Sequence, residues 1–379
     1  MNSADKRMSK PSILIIENSI AITGALKSII RSSQGLADNF NFIFILPKQS
    51  RALSFVREQG FDAYELPMKE LRKNFVSLIG YGPSLFYNSF ALYQITKRLK
   101  VDLLVVNDFY NLIATGYKIL GGRAPYICYV RFLPSKFPKQ LVKFWCALHH
   151  RYAMATVAVS EAVRKELPYQ EKVVVIGNEL PAEEVALSST LNCNTILYPA
   201  NYIQGKGHEF ALESFARVSR SHSQWNLRFV GGDMGLQKNK DFKKYLMALA
   251  NRLNLEDQVS FHDFSNNISN EYLHAGIVLN FSESESFSMT CLEAMYYGRP
   301  VVATRSGGPS EIIDQNETGI LVNLKDIDAM ANAIDYLIKN PERRQLMASK
   351  AYESVRQKFS FSNTIGKLEK LYQTAVKDY

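Results

Sequence analysis

Two glutamates and one lysine are the residues whose chemistry can be interpreted most directly. Glu285 and Glu293 lie eight positions apart, on either side of a predicted helix start near Met289, and Lys206 lies in a turn before another helix. A helix start offers unpaired backbone N–H groups and the positive end of the helix dipole, which together bind anions. Carboxylates beside an anion are favourable only where they contact neutral hydroxyl groups. The combination predicts a ligand with phosphate at its centre and hydroxyl groups on both flanks, as in a sugar nucleotide.

Each of these residues has a simpler interpretation when it is taken alone. The two glutamates could be partners of the helix dipole that bind no ligand. Lys206 could be a solvated lysine in a surface turn. The surrounding sequence is therefore needed to distinguish a ligand-binding role from these simpler roles.

The elements that must position these residues read as alternating strands and helices. The apolar runs are nearly continuous, as in SILII (12–16), DLLVV (102–106) and GIVLNFS (276–282), which is typical of parallel strands covered on both faces. The pattern restarts near residue 194, after a segment (181–194) poor in aromatic residues. The prediction is an α/β protein with two doubly wound, Rossmann-like domains, at 1–185 and 186–360, followed by a last helical segment, 361–379.

Composition excludes several classes of protein. The 379 residues are 46% hydrophobic and 21% charged, which argues against a disordered, collagen-like or coiled-coil chain. The four cysteines are far apart, which weighs against a disulfide scaffold or a structural zinc site and suits a reducing compartment. The apolar run near the N-terminus, 13–16, is too short for a signal peptide. We expect a cytoplasmic protein.

The net charge of +9 comes from residues 1–190, because residues 191–379 are balanced. Two stretches of this half, 69–90 and 131–152, combine lysine and arginine with aromatic residues. They predict peripheral contact with an anionic membrane surface at the inner face of the cytoplasmic membrane. Ordinary buried aromatic residues with a solvated basic rim are the alternative. Nucleic-acid binding is not expected, since no known motif accompanies the charge.

Three motifs in order resemble one enzyme family. ESFSMTCLEAMYYGRPVVAT (285–304), SGGPSEII (306–313) and TGILV (318–322) are similar to the donor-binding region of retaining glycosyltransferases with the GT-B fold, family 4, also called glycosyl transferases group 1. The resemblance covers 195–325 well and fades toward the N-terminus. It implies two Rossmann-like domains facing across a cleft, with the final helix returning to the first domain.

The resemblance also implies roles for individual residues. Glu293 would bind the ribose of the nucleotide, Glu285 the hydroxyls of the donor sugar, and Lys206 the diphosphate. The diphosphate or sugar would contact backbone amides of Phe287, Ser288, Met289 and Thr290. The family has glycines where this chain has Ser286 and Ser288, which predicts strain if either position needs a positive φ.

Other matched positions bring a turn and the first domain into the predicted site. Gly231 and Gly232 resemble the glycine turn beside the nucleotide, and Asn201 replaces an arginine of the family. Gly24 lies in the turn after the first strand, where a helix start is the alternative reading. Arg131 stands where the family often has a histidine, and it could bind phosphate but could not act as a base.

The resemblance implies a retaining, metal-independent hexosyltransferase. It would move a sugar from a nucleotide-diphosphate donor to a glycan or lipid-linked glycan, in bacterial lipopolysaccharide or capsule synthesis. The donor would be a co-substrate, and no cofactor is expected. Two alternatives stay open: a nucleotide-sugar epimerase of the same architecture, and an inactive partner subunit. The replaced arginine favours the second of these.

Overall fold

The computed structural model describes residues 10–68, 75–180, 193–265 and 267–377. The chain divides into two compact units. Unit 1 comprises Met1–Glu179 and Ser362–Tyr379, and unit 2 comprises Leu180–Phe361. The predicted boundary between residues 185 and 186, like most of the predicted linker, lies outside the described residues.

Unit 1 is built on a parallel sheet. Its described residues form seven strands in the order β3-β2-β1-β4-β5-β6-β7. The apolar runs of the central strands are buried, as expected for parallel strands covered on both faces. The strands are β1 Ser12–Ile16, β2 Asn41–Pro47, β3 Asp62–Leu66, β4 Leu103–Val106, β5 Tyr126–Val130, β6 Ala155–Ala158 and β7 Val173–Val175.

Helices connect these strands, and the last described helix, α14, also belongs to unit 1. The helices of unit 1 are α1 Gly24–Gly35, α2 Ala52–Glu58, α3 Phe75–Leu99, α4 Ile113–Ile119, a 3₁₀ turn Pro134–Lys136, α5 Lys139–Tyr152, α6 Glu161–Glu166 and α14 Phe361–Lys377. The Tyr372 hydroxyl of α14 lies 3.1 Å from the Tyr129 hydroxyl of β5, and both rings are buried. The Asn39 amide donates to Glu369 at 2.7 Å. The end of the chain is therefore an integral part of unit 1.

Unit 2 repeats the same topology with six described strands, in the order β10-β9-β8-β11-β12-β13. They are β8 Thr195–Pro199, β9 Asn226–Val230, β10 Val259–His262, β11 Ile277–Asn280, β12 Val301–Thr304 and β13 Ile320–Val322. Its helices are α7 His208–Ser219, α8 Gln237–Arg252, α9 Ile268–Leu273, α10 Met289–Tyr296, α11 Pro309–Ile312, α12 Ile327–Lys339 and α13 Pro341–Lys358. The prediction of two Rossmann-like parallel sheets is confirmed.

This strand order creates one switch point in each sheet, where neighbouring strands lead their chains in opposite directions. In unit 1 the switch point lies between β1 and β4, and in unit 2 it lies between β8 and β11. Ligands of doubly wound sheets bind beyond the carboxyl ends of the strands at such points. The residues that follow these four strands are therefore the ones to inspect.

The two basic and aromatic stretches of unit 1 form much of α3 and α5. Among the described residues, no helix combines the length and apolarity needed to cross a membrane. Lys69, Arg72 and Lys73 lie outside the described residues. Trp145, which the sequence groups with the aromatic anchors, is buried against the Phe109 ring and belongs to the core. Within the described part of these two stretches, the exposed large apolar side chains are Phe86, Tyr87, Phe90, Phe132, Leu141 and Phe144.

Candidate functional site

The switch point of unit 2 brings Lys206 and Glu285 together. Lys206 follows β8 and Glu285 follows β11. Lys206 Nζ donates to Glu285 Oε1 at 2.8 Å, with 34% of the lysine and 15% of the glutamate side chain exposed. The family resemblance implied separate roles for these residues, at the diphosphate and at the sugar, and the fold makes them direct neighbours.

The turn that carries Lys206 depends on its flanking glycines. Gly205 and Gly207 have φ values of +88° and +77°, a region that side chains with a Cβ rarely adopt. A Cβ on Gly207 would lie 2.1 Å from the carbonyl oxygen of Phe281. The Tyr198 hydroxyl donates to the Lys206 carbonyl oxygen. The turn therefore packs directly against the end of β11, which fixes the lysine backbone.

The loop that carries Glu285 is held by a second backbone pairing. Glu285 N–H donates to the Ser306 carbonyl at 2.9 Å, and Gly308 N–H donates to the Glu285 carbonyl at 2.8 Å. A Cβ on Gly308 would lie 2.2 Å from the Phe287 carbonyl oxygen. Phe287 itself is buried, with its ring against that of Phe359. The loop between β11 and α10 is thus tied to the segment that follows β12.

Ser288 forms the start of α10 in a strained conformation. Its φ is +80°, whereas Ser286 is not among the residues with positive φ. The Ser288 hydroxyl accepts from Cys291 N–H at 3.3 Å and from the Asn280 amide at 2.8 Å. The strain predicted for a serine in this loop is therefore found at Ser288. The hydroxyl offsets it by capping the helix.

The first N–H groups of α10 belong to Met289 and Thr290. Helix geometry provides no intrahelical acceptor for them, whereas Cys291 N–H is capped by Ser288. The Thr290 hydroxyl donates to the Pro199 carbonyl at 3.2 Å, which joins the helix start to the end of β8. The helix start and Lys206 thus lie beyond neighbouring strands of the sheet.

Glu293 lies one turn into α10 and has a partner that sequence reasoning missed. The Tyr272 hydroxyl donates to Glu293 Oε2 at 3.2 Å, and the Tyr272 ring stacks on the Tyr297 ring with centroids 5.4 Å apart. Burial, reinforced by the Glu293 carboxylate, raises the pKa of Tyr272, so its hydroxyl stays protonated. Tyr272 lies in the short helix α9, whose sequence carries no signal for this role.

Asn201, Gly231 and Gly232 meet where β8 and β9 end. Gly232 N–H donates to Asn201 Oδ1 at 2.9 Å. A Cβ on Gly231 would lie 1.9 Å from the Ala200 carbonyl oxygen, so this position requires glycine. At Gly232 the nearest atom would be 3.3 Å away, which is tight but not prohibitive. Asn201 therefore ties the two turns together.

The two predicted site residues of unit 1 lie in different environments. Gly24 is the exposed first residue of α1, and a Cβ there would meet no atom of the described residues within 4 Å. Arg131 is buried after β5, where its Nε donates to Asn107 Oδ1 and its Nη1 to Asn178 Oδ1, both at 2.9 Å. Its guanidinium lies 4.4 Å from the centre of the Tyr129 ring. Gly24 thus lies at a helix start, which was the alternative interpretation of this position. Arg131 is held by the side-chain amides of Asn107 and Asn178.

Taken together, the unit 2 residues combine one ammonium group, one helix start and two carboxylates. The ammonium and the first N–H groups of α10 can stabilise negative charge on phosphate oxygens. The carboxylates of Glu285 and Glu293 can accept hydrogen bonds from hydroxyl groups. This is the chemistry of a sugar nucleotide site.

Comparison with known proteins agrees with this chemistry. A family model described as "Glycosyl transferases group 1" matches residues 182–354. An uncharacterized glycosyltransferase of Haemophilus influenzae is 25% identical over 328 residues, which cover 83% of this chain and 89% of that protein. N-acetyl-alpha-D-glucosaminyl L-malate synthase of Bacillus anthracis is 32% identical over 133 residues, but this covers only 35% of either chain.

A solved structure extends the similarity to the whole fold. The Anabaena protein HepE, crystallised in complex with UDP-glucose, superposes with a TM-score of 0.82 at 19% identity. The match covers 96% of this chain and 99% of that one. At this level of identity the likeness shows a shared fold.

Proposed function

We propose that the chain is a retaining hexosyltransferase of the glycosyl transferases group 1 family that uses a nucleotide-diphosphate sugar without a metal ion, since residues 182–354 match the family model and the chain has the GT-B fold. The observation that carries this proposal is the position of Lys206 beside the start of α10 at the unit 2 switch point. Both groups stabilise the same kind of charge, namely that of phosphate oxygens.

In the proposed reaction, the bond between the anomeric carbon and the diphosphate oxygen breaks. The oxygen of an acceptor hydroxyl bonds to the anomeric carbon from the same face, and its proton passes to the departing phosphate. Negative charge grows on the diphosphate as the bond breaks. Lys206 and the amides of Met289 and Thr290 would stabilise it, and one such donor is worth about 3 kcal/mol of barrier.

The carboxylates would hold the two ends of the donor. Glu285 would accept hydrogen bonds from the sugar hydroxyls, and Glu293, oriented by Tyr272, would accept them from the ribose. The amides of Phe287 and Ser288 would contribute to the same loop surface. Glycines 231 and 232 would allow the nucleotide to approach the backbone, with Asn201 bracing their turn.

UDP-glucose is the first donor to test, because HepE, which has the same fold, was crystallised with it. The proposed acceptor is a glycan or a lipid-linked glycan of bacterial surface polysaccharide, such as lipopolysaccharide or capsule. The basic half of the chain supports this acceptor, since it suits contact with an anionic membrane surface. The exposed residues of α3 and α5 described above would make that contact.

A two-step experiment tests the function. Thermal shift with UDP, GDP, ADP and dTDP identifies the nucleotide, and we expect UDP to give the largest increase in Tm. Radiolabelled UDP-sugar is then incubated with and without a panel of octyl glycosides. A labelled glycoside with retained anomeric configuration supports the proposal. Conversion of the donor without acceptor indicates an epimerase, and nucleotide binding without any conversion indicates an inactive partner subunit.

A further inference from the structure

Tyr198 connects the two segments that carry the candidate site, although it is too deeply buried to touch a ligand itself. It lies in β8 with only 1% of its surface exposed, and its ring packs against those of Phe229 and Phe281. The hydroxyl donates to the Lys206 carbonyl oxygen and accepts from Phe281 N–H at 3.0 Å. The donor and an acceptor position of this hydroxyl are therefore both used by main-chain groups of the site.

The two bonded segments follow neighbouring strands of the unit 2 sheet. Lys206 lies in the turn after β8, and Phe281 is the first residue after β11, at the start of the loop that leads to α10. A second link joins the same segments, because Glu283 N–H donates to the Gly205 carbonyl oxygen at 2.9 Å. The turn is thus tied to the loop at two consecutive carbonyl groups, and Tyr198 supplies a tie that a side-chain substitution can remove.

The turn depends on such ties because glycines flank its lysine. Gly205 and Gly207 have φ values of +88° and +77°. Glycine loses more conformational freedom on folding than any other residue, so a turn built on two glycines has many alternatives to its folded conformation. Each hydrogen bond to the end of β11 favours the folded conformation. The backbone of Lys206 is therefore placed by its partners rather than by its local sequence.

The placement of this backbone determines where the lysine ammonium can lie. A lysine side chain has a flexible four-carbon stem, so its ammonium keeps a fixed position only where the backbone is fixed as well. Lys206 Nζ contacts Glu285 Oε1 at 2.8 Å, and 34% of the lysine side chain is exposed. A positive group stabilises growing negative charge best when it is held in place before the reaction. Loss of the Tyr198 hydroxyl should therefore act on a bound diphosphate through Lys206.

The Tyr198 hydroxyl keeps its proton in this position. Burial raises the pKa of Tyr198 and the nearby Glu285 carboxylate raises it further, although the hydrogen bond with the Phe281 backbone lowers it. A protonated hydroxyl donates to a carbonyl oxygen, whereas a phenolate has no proton to donate. The tie between turn and sheet is therefore uncharged and by itself neither attracts nor repels a phosphate.

We propose that Tyr198 is a positioning residue, which sets the place of the Lys206 ammonium on the diphosphate by bonding the lysine backbone to the end of β11. The inference rests on the proposed function, because it concerns the lysine that holds the diphosphate in that reaction. Tyr198 contacts neither the donor nor the acceptor and acts through Lys206.

The test compares UDP with uridine as ligands of the full chain. Both carry the same base and ribose, and only UDP carries the phosphates that Lys206 would bind. Tyr198→Phe keeps the ring and removes the hydroxyl. Tyr126→Phe in unit 1 is the matched control, because the Tyr126 hydroxyl is also buried and has two partners, Thr115 Oγ1 at 3.0 Å and His149 Nδ1 at 3.1 Å. Isothermal titration is run at a temperature at which the thermal unfolding curve shows every variant to be folded.

We expect Tyr198→Phe to raise the Kd for UDP about 3- to 10-fold and to leave the Kd for uridine within about 2-fold of the wild-type value. A merely structural role would weaken both ligands alike. In the Lys206→Ala background, Tyr198→Phe should change the Kd for UDP by less than about 2-fold, since residues that act through one another are not additive. The kcat with radiolabelled UDP-glucose should fall about 10-fold in Tyr198→Phe. Tyr126→Phe should keep both affinities at wild-type values.

Two results overturn the inference while the proposed function stands. One is a wild-type affinity for UDP in Tyr198→Phe. The other is a loss of UDP affinity in Tyr198→Phe that is equally large with and without the Lys206 ammonium. Failure of the wild type to bind any nucleotide, or unaltered UDP binding and turnover in Lys206→Ala, would instead overturn the proposed function itself.

Discussion

Lys206 donates a 2.8 Å hydrogen bond to Glu285 across the switch point of unit 2. A diphosphate bound by Lys206, as proposed above, would therefore lie beside a carboxylate. The carboxylate repels the phosphates unless its oxygens contact hydroxyl groups. In the proposed site, the pair would thus make tight binding of the diphosphate depend on the presence of a sugar.

Substitutions of the pair should separate the affinity for nucleotide from turnover. Lys206→Ala should weaken UDP binding and lower kcat about 100-fold, because it removes charge stabilisation of the leaving group. Glu285→Gln should strengthen UDP binding about 3- to 10-fold, since it removes a nearby negative charge, and yet lower kcat with the UDP-sugar. Isothermal titration and initial rates measure the two quantities.

Lys240→Ala on α8 is the control for this experiment, because Lys240 is an exposed lysine of the same unit. It should leave both quantities at wild-type values. Weaker UDP binding in Glu285→Gln would contradict the prediction. It would mean that Glu285 serves mainly to hold Lys206 in place.

Removal of the Tyr272 hydroxyl should weaken nucleotide binding indirectly, because this hydroxyl contacts Glu293. Tyr272→Phe keeps the ring stack on Tyr297 and removes the hydrogen bond to Glu293. A hydrogen bond to a charged group is worth about 1.5–3 kcal/mol, and part of this should appear as a 3- to 10-fold higher Kd for UDP. The exposed Tyr336 provides the control Tyr336→Phe. An unchanged Kd in Tyr272→Phe would show that Glu293 needs no orientation by Tyr272.

Ser288 should respond differently to alanine and to glycine. Ser288→Ala removes the helix cap while φ stays at +80°, so we expect a loss of about 1–2 kcal/mol in the free energy of unfolding. Ser288→Gly removes the cap and also relieves the strain, so its effect should lie within about 0.5 kcal/mol of zero. Urea unfolding measures both variants. Equal losses in the two variants would mean that the backbone at this position is not strained.

Acid should destabilise both units through a buried histidine whose pKa is lowered, His149 in unit 1 and His208 in unit 2. Burial lowers the pKa of His149 in unit 1 and of His208 in unit 2 to about 4. An unfolded histidine titrates near pH 6.5, so between pH 6.5 and 4 the unfolded chain binds a proton that the folded chain does not. Stability must therefore fall as the pH is lowered through this window. Each histidine should contribute about 2 kcal/mol of loss between pH 7 and pH 5.

The two tryptophans of the chain allow each unit to be followed separately. Trp145 is buried in unit 1 and Trp225 in unit 2, so Trp225→Phe leaves a reporter for unit 1 and Trp145→Phe leaves one for unit 2. His149→Gln should flatten the pH dependence of urea unfolding in unit 1 only, and His208→Gln in unit 2 only. His274→Gln, at an exposed position, should change neither. A slope that is unaltered in both buried variants would contradict the prediction.

Contact with an anionic membrane should depend on the exposed apolar residues of α5. Leu141 and Phe144 are 42% and 55% exposed, and the neighbouring Lys139 and Lys143 are exposed as well. Leu141→Ser with Phe144→Ser should reduce flotation with vesicles that contain phosphatidylglycerol, because it removes the apolar anchor and keeps the charge. Leu346→Ser on α13 is the control. Equal flotation of wild type and double variant would exclude α5 as the anchor.

The strands could be predicted because their signal is local. Most of the strands are short runs of three to seven residues that are rich in apolar side chains, and these runs predict most strands of both sheets. The strand β7, Val173–Val175, is not among the predicted strands, although three consecutive valines favour one; it is short, only partly buried and lies at the sheet edge.

The contacts within the sites could not be predicted in the same way. Lys206 and Glu285 are 79 positions apart, and their pairing depends on the order of strands in the sheet. The link from Tyr272 to Glu293 joins two helices that no periodic pattern relates. The hydrogen bonds of Arg131 to Asn107 and Asn178 join residues that follow three different strands, so they become visible only in the folded chain.

The bond between Tyr129 and Tyr372 has a consequence for biosynthesis. Because α14 completes the first unit, that unit is discontinuous in the chain, and the ribosome must synthesise all of unit 2 before the last piece emerges. Domains generally fold in the order in which they are translated. Here the unit that begins first is finished last, so a nascent chain halted before residue 362 exposes the surface that α14 covers.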